Sequence, residues 1–396
     1  VAEAWSVAFG RYLRTLRERR SLSLIDVCQL SQAFTETVSK GYLSRCENGR
    51  QGPSFSKVIP LGRIYRVRAD ALLERLELDM ELERAGAPDT AGRSFEQLTD
   101  DGNAAIRKGF GWEAYAYLRD ATARAATDTV RPVYESRAEQ IACAHMNCAT
   151  AARRLGRRQF ALHEYTYLEE QGALGPRLLP ILFERLSQSF RTLDRMEPAL
   201  AYAEKAMAAA RAYGDPNWIG NAYSNRAQLA VAVSDLEQAV DLFRKAYEYY
   251  HEDEHLLECA RSLINLAQVY FDLGRLRAAR RSLLAAEKLA GPLGQQRALA
   301  LGRILMGEID SREHRDDVAH RLWKEAAAIA KRLNDRTLRF KAEFLLYKQA
   351  CAQGDEPVAR SIHRRLEKLS HWIPRDTPEL AEFRDLPDDP PQRTLN

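Results

Sequence analysis

Apolar residues recur at helical steps through most of the 396-residue chain. Near its start, Phe9, Tyr12, Leu13 and Leu16 are spaced by three and four, which predicts a helix with one apolar stripe. Arg11, Arg14, Arg17, Arg19 and Arg20 occupy or follow its other faces. Ser21-Leu22-Ser23 interrupts the pattern and offers an N-cap to a second short helix through Leu24, Val27, Cys28 and Leu30. Ser39 caps a third helix, Lys40 to Glu47, which stops at Asn48-Gly49. Pro53-Ser54 opens a fourth, carrying Val58, Leu61, Ile64 and Tyr65, and Leu72, Leu73 and Leu76 predict a fifth.

Gly86-Ala87-Pro88-Asp89 and Gly92 mark a linker, placed at 80–99. Beyond it the pattern repeats. Small residues stand at Ala199, Ala239, Ala279, Ala319 and Ala359, 40 apart each time. Four residues on come Ala203, Phe243, Leu283, Trp323 and His363; three further come Ala206, Ala246, Ala286, Ala326 and Leu366. Twelve residues before the anchors lie Ser187, Ala227, Ala267 and Gly307, and Tyr347 breaks the rule. Looser copies are anchored on Ala161, with Ala149 before it, and on Ala114, with Gly102 before it. These spacings predict two antiparallel helices per repeat, stacked side by side over residues 100–370. They resemble tetratricopeptide repeats stretched to about 40 residues. Breaks at Gly214-Asp215-Pro216, Gly291-Pro292 and Gly354-Asp355 argue against one long coiled coil. Residues 371–396, with Pro374, Pro378, Pro387, Pro390 and Pro391, are expected to be an irregular tail.

Charge changes the picture at one end. Residues 1–79 hold 13 Lys or Arg against 9 Asp or Glu, so the whole formal excess of +4 lies there. A positive end on a neutral body suggests contact with a polyanion. No apolar run is long enough to span a membrane, and Val1 to Gly10 lack the order of a secretion signal, so a cytoplasmic address is expected. The six cysteines form no paired framework and read as small buried side chains.

The string from Gly41 through Tyr42, Leu43, Ser44, Arg45, Cys46, Glu47, Asn48 and Gly49 to Arg50, followed by Pro53-Ser54, resembles the XRE (Cro and phage-repressor) helix-turn-helix family. The resemblance implies that the third helix enters the major groove of an operator. Lys40, Gly41 and Arg45 then fall where base-contacting side chains sit, and Ser39 and Asn48 where phosphates are held. Tyr42, Ser44 and Arg50 complete the expected DNA-binding set, and Glu47 matches an acidic position that serves structure. The stretch between Leu30 and Ser39 is about two residues longer than that family's. Ala33 to Val38 either extends the second helix or widens the turn.

Eleven residues before the anchors stand Gln188, Gln228 and Gln268, and three earlier stand Asn147, Arg185, Asn225 and Asn265, with Asn221 one turn before Asn225. Amides both donate to and accept from a peptide backbone, so this ladder is a candidate clamp for an extended ligand. Other signals are weaker. His251-Glu252-Asp253-Glu254-His255 matches a zinc-peptidase pattern but falls at a hairpin junction crowded with acid. Cys143, His145 and Cys148 lack an evident fourth ligand and read as packing residues. Neither a phosphate-binding Gly-rich loop nor a nucleophile elbow occurs, so neither an enzyme nor a cofactor is expected.

The expected fold is all-α: a five-helix helix-turn-helix domain over 1–79, then a right-handed superhelical solenoid. The layout resembles the quorum-sensing and phage lysis–lysogeny regulators whose repeats bind short signalling peptides. That resemblance implies a homodimer, a double-stranded DNA operator with two half-sites, and a peptide that changes their spacing. A regulator whose repeats hold a protein partner is the main alternative; a metallopeptidase is a remote one.

Overall fold

The computed structural model describes residues 4–86, 88–373 and 377–386. Five helices come first: α1 (Ala4–Arg19), α2 (Leu24–Ser31), α3 (Lys40–Glu47), α4 (Phe55–Tyr65) and α5 (Ala69–Ala85). Seven helix pairs follow in order: α6 (Phe95–Lys108) and α7 (Gly111–Arg124), α8 (Arg137–Arg154) and α9 (Arg158–Gln171), α10 (Leu179–Thr192) and α11 (Met196–Tyr213), α12 (Pro216–Ala232) and α13 (Leu236–Glu252), α14 (Leu256–Asp272) and α15 (Leu276–Ala290), α16 (Gln296–Arg312) and α17 (Asp316–Arg332), α18 (Arg336–Gln353) and α19 (Glu356–Ser370). A last helix, α20, spans Pro378–Arg384, and no strand occurs among the described residues. Those residues form two compact units, one drawn from 1–104 and 112–199, the other from 105–111 and 200–396.

The first unit is closed by α1, whose Phe9, Tyr12, Leu13 and Leu16 are all buried. It crosses the end of α3 at Gly10, where a Cβ would lie 2.3 Å from the Cys46 carbonyl oxygen. Ser23 caps α2 in a reciprocal box: the Asp26 amide donates to its hydroxyl, and the Ser23 amide donates to the Asp26 carboxylate. The long connection after α2 widens the turn and does not extend the helix. Buried Val38 is held there, its amide donating to Ser31 Oγ at 2.8 Å. The linker is shorter than 80–99. Helix α5 runs past residue 79 to Ala85 because Leu78, Asp79 and Leu82 are all buried, and α6 begins at Phe95. Of the linker residues, Ala87 lies outside the described ones.

The second unit shows why the 40-residue period holds. Ala239, Ala279, Ala319 and Ala359 are sealed where the helices of a pair meet. Across from them, small and large residues trade volume: Ala227 with Phe243, Ala267 with Leu283, Gly307 with Trp323. The indole of Trp323 fills the space at Gly307, where a Cβ would sit 2.4 Å from its nitrogen, and it donates to the Ile304 carbonyl at 3.1 Å. Between the helices of each pair one residue is left-handed, again at 40-residue steps: Ser234, Gly274, His314 and Gly354. The next amide then bonds back across the turn, Asp235 to the Ala230 carbonyl and Arg275 to the Tyr270 carbonyl.

The tail departs from expectation. Residues 377–386 are folded, because Pro378 opens a helix and Leu380 and Phe383 bury one face of it. Phe383 lies edge-on to Phe340, Phe344 and Tyr347 and 5.0 Å from the His363 ring. Tyr347 therefore breaks the small-residue rule where a capping helix covers the array. Pro374, Pro387, Pro390 and Pro391 lie outside the described residues.

Gly307→Ala is expected to lower stability by about 1–3 kcal/mol through overpacking. Adding Trp323→Leu, which recreates the Ala267–Leu283 pair, should recover most of the loss. Denaturant midpoints of the two variants check this.

Candidate functional site

The third helix is held by its inner face. Leu43, Cys46 and Glu47 are buried, and the Glu47 carboxylate receives Arg17 through Nε at 2.7 Å and Nη2 at 2.9 Å. Arg17 also donates to the Leu22 carbonyl, so one guanidinium ties α1, the turn before α2 and α3 together. The other face of α3 is open. Ser39, Lys40, Gly41, Arg45 and Asn48 are exposed, and Arg50 follows them. Ser39 Oγ caps the helix by accepting the Tyr42 amide. Arg45 Nε donates to Gln51 Oε1 at 3.0 Å, and Asn48 accepts from Arg14 while donating to the Ser44 carbonyl. Exposed Arg11 and Arg14 on α1 widen the basic surface.

Tyr42 does not share that face. It is 7% exposed, and its hydroxyl accepts the Ser54 amide at 2.6 Å, which fastens the start of α4 to α3. Ser44 is half-buried. The expected contact set therefore narrows to the residues on the outer side of α3 and its two ends.

The five-helix domain is not tethered loosely to the repeats that share its unit. Glu164 of α9 is 1% exposed and receives Arg19 through both guanidinium nitrogens at 2.9 Å, and Tyr12 donates to it at 3.0 Å. Burial alone would raise its pKa; the Arg19 charge and bonds from His145 and Arg19 outweigh that and hold the carboxyl well below its ordinary range. Arg75 of α5 is buried among the rings of Tyr12, Phe160 and Tyr115 and donates to Asp79, which also accepts from the Tyr115 hydroxyl. Glu74 accepts the Phe160 amide at the start of α9 at 2.8 Å. Its burial pushes the carboxyl up to about 7, against the lowering pull of that bond and of Arg157. No sequence pattern marked this seam, whose charges read like a solvated helix face.

The amide ladder divides. In the first unit, Asn147 Nδ2 points to Cys143 Sγ, while Gln188 is buried and bonded to Glu184 at 2.6 Å, with Arg185 donating to both. In the second unit, Asn225 is 1% exposed and Asn221 accepts the Tyr250 hydroxyl at 2.8 Å. Gln188 and Asn225 therefore do not present open amides, because the packed helices enclose them. Gln228, Asn265 and Gln268 are half-buried, and Gln268 donates to Asp272. One residue before Asn265 on α14, Ile264 lines a small, open apolar cleft of about 40 Å³. Its other walls include Leu283, Leu299, Met306 and Leu322, with Arg303 and Glu287 at hand. Gly302 leaves the room: a Cβ there would still be 3.9 Å from Leu283. A glycine inside an otherwise helical run was the one sequence signal for this cleft.

The histidine pair is split by the fold. His251 lies in the last turn of α13 against the Tyr247 ring, and His255 caps α14 with Nε2 2.7 Å from Asp253. Left-handed Glu254 breaks the helical register that a shared metal would need. Cys143 and Cys148 are buried, and His145 is engaged with Glu164 and Arg19.

Comparison with known proteins agrees with this architecture. Residues 8–76 match the family model described as a helix-turn-helix domain, and residues 179–252 and 218–291 match tetratricopeptide repeats. No curated protein matches the chain by sequence. Among solved structures, a Rap protein complexed with competence and sporulation factor is 15% identical, with 95% of this chain and 100% of that chain covered and a TM-score of 0.55. The Rap conjugation gene regulator of the plasmid pLS20, in complex with the Phr* peptide, is 14% identical, with 96% and 97% covered and a TM-score of 0.55. PlcR of Bacillus thuringiensis, in complex with the peptide PapR7 and DNA, is 13% identical, with 73% and 96% covered and a TM-score of 0.44. The chain thus joins a helix-turn-helix domain to a tetratricopeptide array, a fold that peptide-bound Rap proteins share.

The Glu74 carboxyl gives a pH test. Its folded pKa is raised above 4.5, so the folded state holds the extra proton between pH 4.5 and about 7, and stability falls as pH rises through that window. Glu74→Gln should leave stability at pH 4 nearly unchanged and raise it at pH 8 by on the order of 2 kcal/mol. Equal effects at both pH values in urea titrations would refute this account of the seam.

Proposed function

We propose that the chain is a sequence-specific DNA-binding transcriptional regulator whose repeat array binds a short peptide. The observation that carries the DNA half is the open face of α3. Lys40, Gly41 and Arg45 stand outward on a helix whose inward face is pinned by a buried ion pair. Nothing in the fold requires glycine at 41, since a Cβ there would meet only Arg45, at 3.6 Å. A bare backbone at that point suits close approach to a groove wall. Arg45 would pair with a guanine edge, and Ser39, Asn48 and Arg50 with phosphates. Two copies in a homodimer would place two such helices on half-sites about one helical turn apart, or a multiple of it.

The peptide half rests on the second unit, where half-buried Asn265 stands next along α14 to the cleft at Ile264. An amide for the ligand backbone beside an apolar cleft for one of its side chains is the usual division of labour in such a site. The ligand would act by population shift: it prefers one arrangement of the array. Because α1 and α5 are fixed to α9, a displacement of α9 carries α3 with it.

With duplex DNA selected from a random library by the intact chain, Lys40→Ala with Arg45→Ala should reduce affinity about 10- to 100-fold, and wild-type binding should weaken steeply with salt. Unchanged affinity in a gel-shift series would mean that α3 is not the reading helix. With a peptide selected from a random heptapeptide library, Gly302→Leu should fill the cleft and cut affinity at least about 10-fold, because its Cβ meets only Leu283, at 3.9 Å, and its branch takes the space the ligand needs. Asn265→Ala should weaken the same peptide, and calorimetry that finds both variants binding normally would sink this placement.

A further inference from the structure

Residues 32–39 join α2 to α3, and they are not a slack connection. Three elements hold them. On the α2 side, the Phe34 amide donates to the Ser31 carbonyl at 3.0 Å, and the amide of buried Val38 donates to Ser31 Oγ at 2.8 Å. From α4, Lys57 Nζ donates to the Thr37 carbonyl at 2.9 Å and sits 4.6 Å above the Tyr42 ring of α3. Arg63, also on α4, covers the Phe34 ring at 5.7 Å. These ties use the backbone and the apolar side chains. Thr35, Glu36 and Thr37 are left exposed. Glu36 has no hydrogen bond or ion pair among the described residues. Packing thus explains Phe34 and Val38, but not an unpaired acid between two threonines.

We propose that this widened turn is a second reading element, in which Glu36 selects cytosine at a base pair beside those met by α3. The inference rests on the proposal that α3 reads DNA. Recognition helices present their N-terminal residues to base edges. Ser39 caps the end of α3 that carries Lys40 and Gly41. Glu36 stands three residues before that cap, so its Cα lies at most about 11 Å away. Base pairs rise by about 3.4 Å, which puts the turn within about three pairs of the one facing Lys40. A carboxylate carried toward a polyanion costs affinity unless it accepts a hydrogen bond there. The major groove offers two kinds of donor, the amino groups of cytosine and adenine. The adenine amino group is flanked by acceptors on both sides, its own N7 and thymine O4. The cytosine amino group has one such neighbour, guanine O6. An ionised carboxylate only accepts, so cytosine suits it best. Discrimination of this kind needs a stiff support, which the ties from α2 and α4 provide.

The test is selection of duplexes from a random library by the intact parent chain, by Glu36→Ala, by Glu36→Gln and by Lys40→Ala with Arg45→Ala. Gel shifts on the enriched sequence and its single-pair variants follow. The parent should favour cytosine at one pair at the edge of its motif by about 5- to 150-fold. Glu36→Ala should flatten that pair alone, by binding the disfavoured duplexes more tightly. Glu36→Gln should move the preference there to adenine, to which a side-chain amide both donates and accepts. A residue that only supports the turn would instead change affinity for all duplexes in parallel. The inference is overturned if Glu36→Ala keeps every position of the motif, or if it tightens all duplexes equally, which is repulsion alone. The two proposals fail separately. A motif that survives Lys40→Ala with Arg45→Ala removes the role of α3 and this inference with it. A motif lost there but untouched by Glu36→Ala removes this inference only.

Discussion

The pairing of Arg19 with Glu164 governs how much of this protein behaves as one body. Two charges are taken out of water together and held by two short bonds, with Tyr12 and His145 completing the carboxylate's shell. Removing either partner would strand the other in a buried site, a penalty typically of about 3–5 kcal/mol. Arg75 with Asp79, and Glu74 with the start of α9, repeat the device along α5. The consequence is geometric. Helix α3 is fixed to α1 through Glu47 and Arg17, and α1 is fixed to α9 through Arg19 and Glu164. A continuous set of ion pairs therefore runs from the outer face of the helix-turn-helix domain into the repeats of its own unit.

Local chemistry was readable where it was local. Ser39 and Asn48-Gly49 delimit α3 because the cap residues adjoin the helix they cap. The anchor alanines announce themselves because helices can approach closely only where side chains are small, and that need recurs every 40 residues. Long-range pairings were not readable. Arg19 and Glu164 are far apart in sequence, and each looks like an ordinary solvated charge until the fold brings them together. Asn225 stands between Ser224 and Arg226, and Tyr42 carries a polar hydroxyl, so the burial of both depends on elements elsewhere in the chain. Glycine marks a left-handed turn at Gly274, but Ser234 and His314 adopt the same conformation without that signature, because the surrounding bonds impose it. The last helix was hidden by prolines, one of which starts it.

The two halves of the proposed function make different demands on side chains. DNA reading asks for exposed donors on a rigid support, and α3 has both because its buried face does no reading at all. Ligand capture asks for concavity and unspent polar groups. The repeats satisfy that unevenly: much of the amide ladder is consumed by internal bonds, while Gly302 opens a cleft.

The left-handed turn residue has a consequence for how such an array changes over time. In the second unit the turns inside successive pairs close with the same backbone bond, and in three of those pairs a small residue on one helix faces a large one on the other. Those turns are thus chemically interchangeable with one another, while the end of the array covered by Phe383 is specialised. A duplication or loss of a whole 40-residue cassette would leave no turn to redesign and no strand edge to satisfy. Length is therefore the property this architecture alters most cheaply, whereas its terminal cap and its welded first unit are the parts that must stay in place.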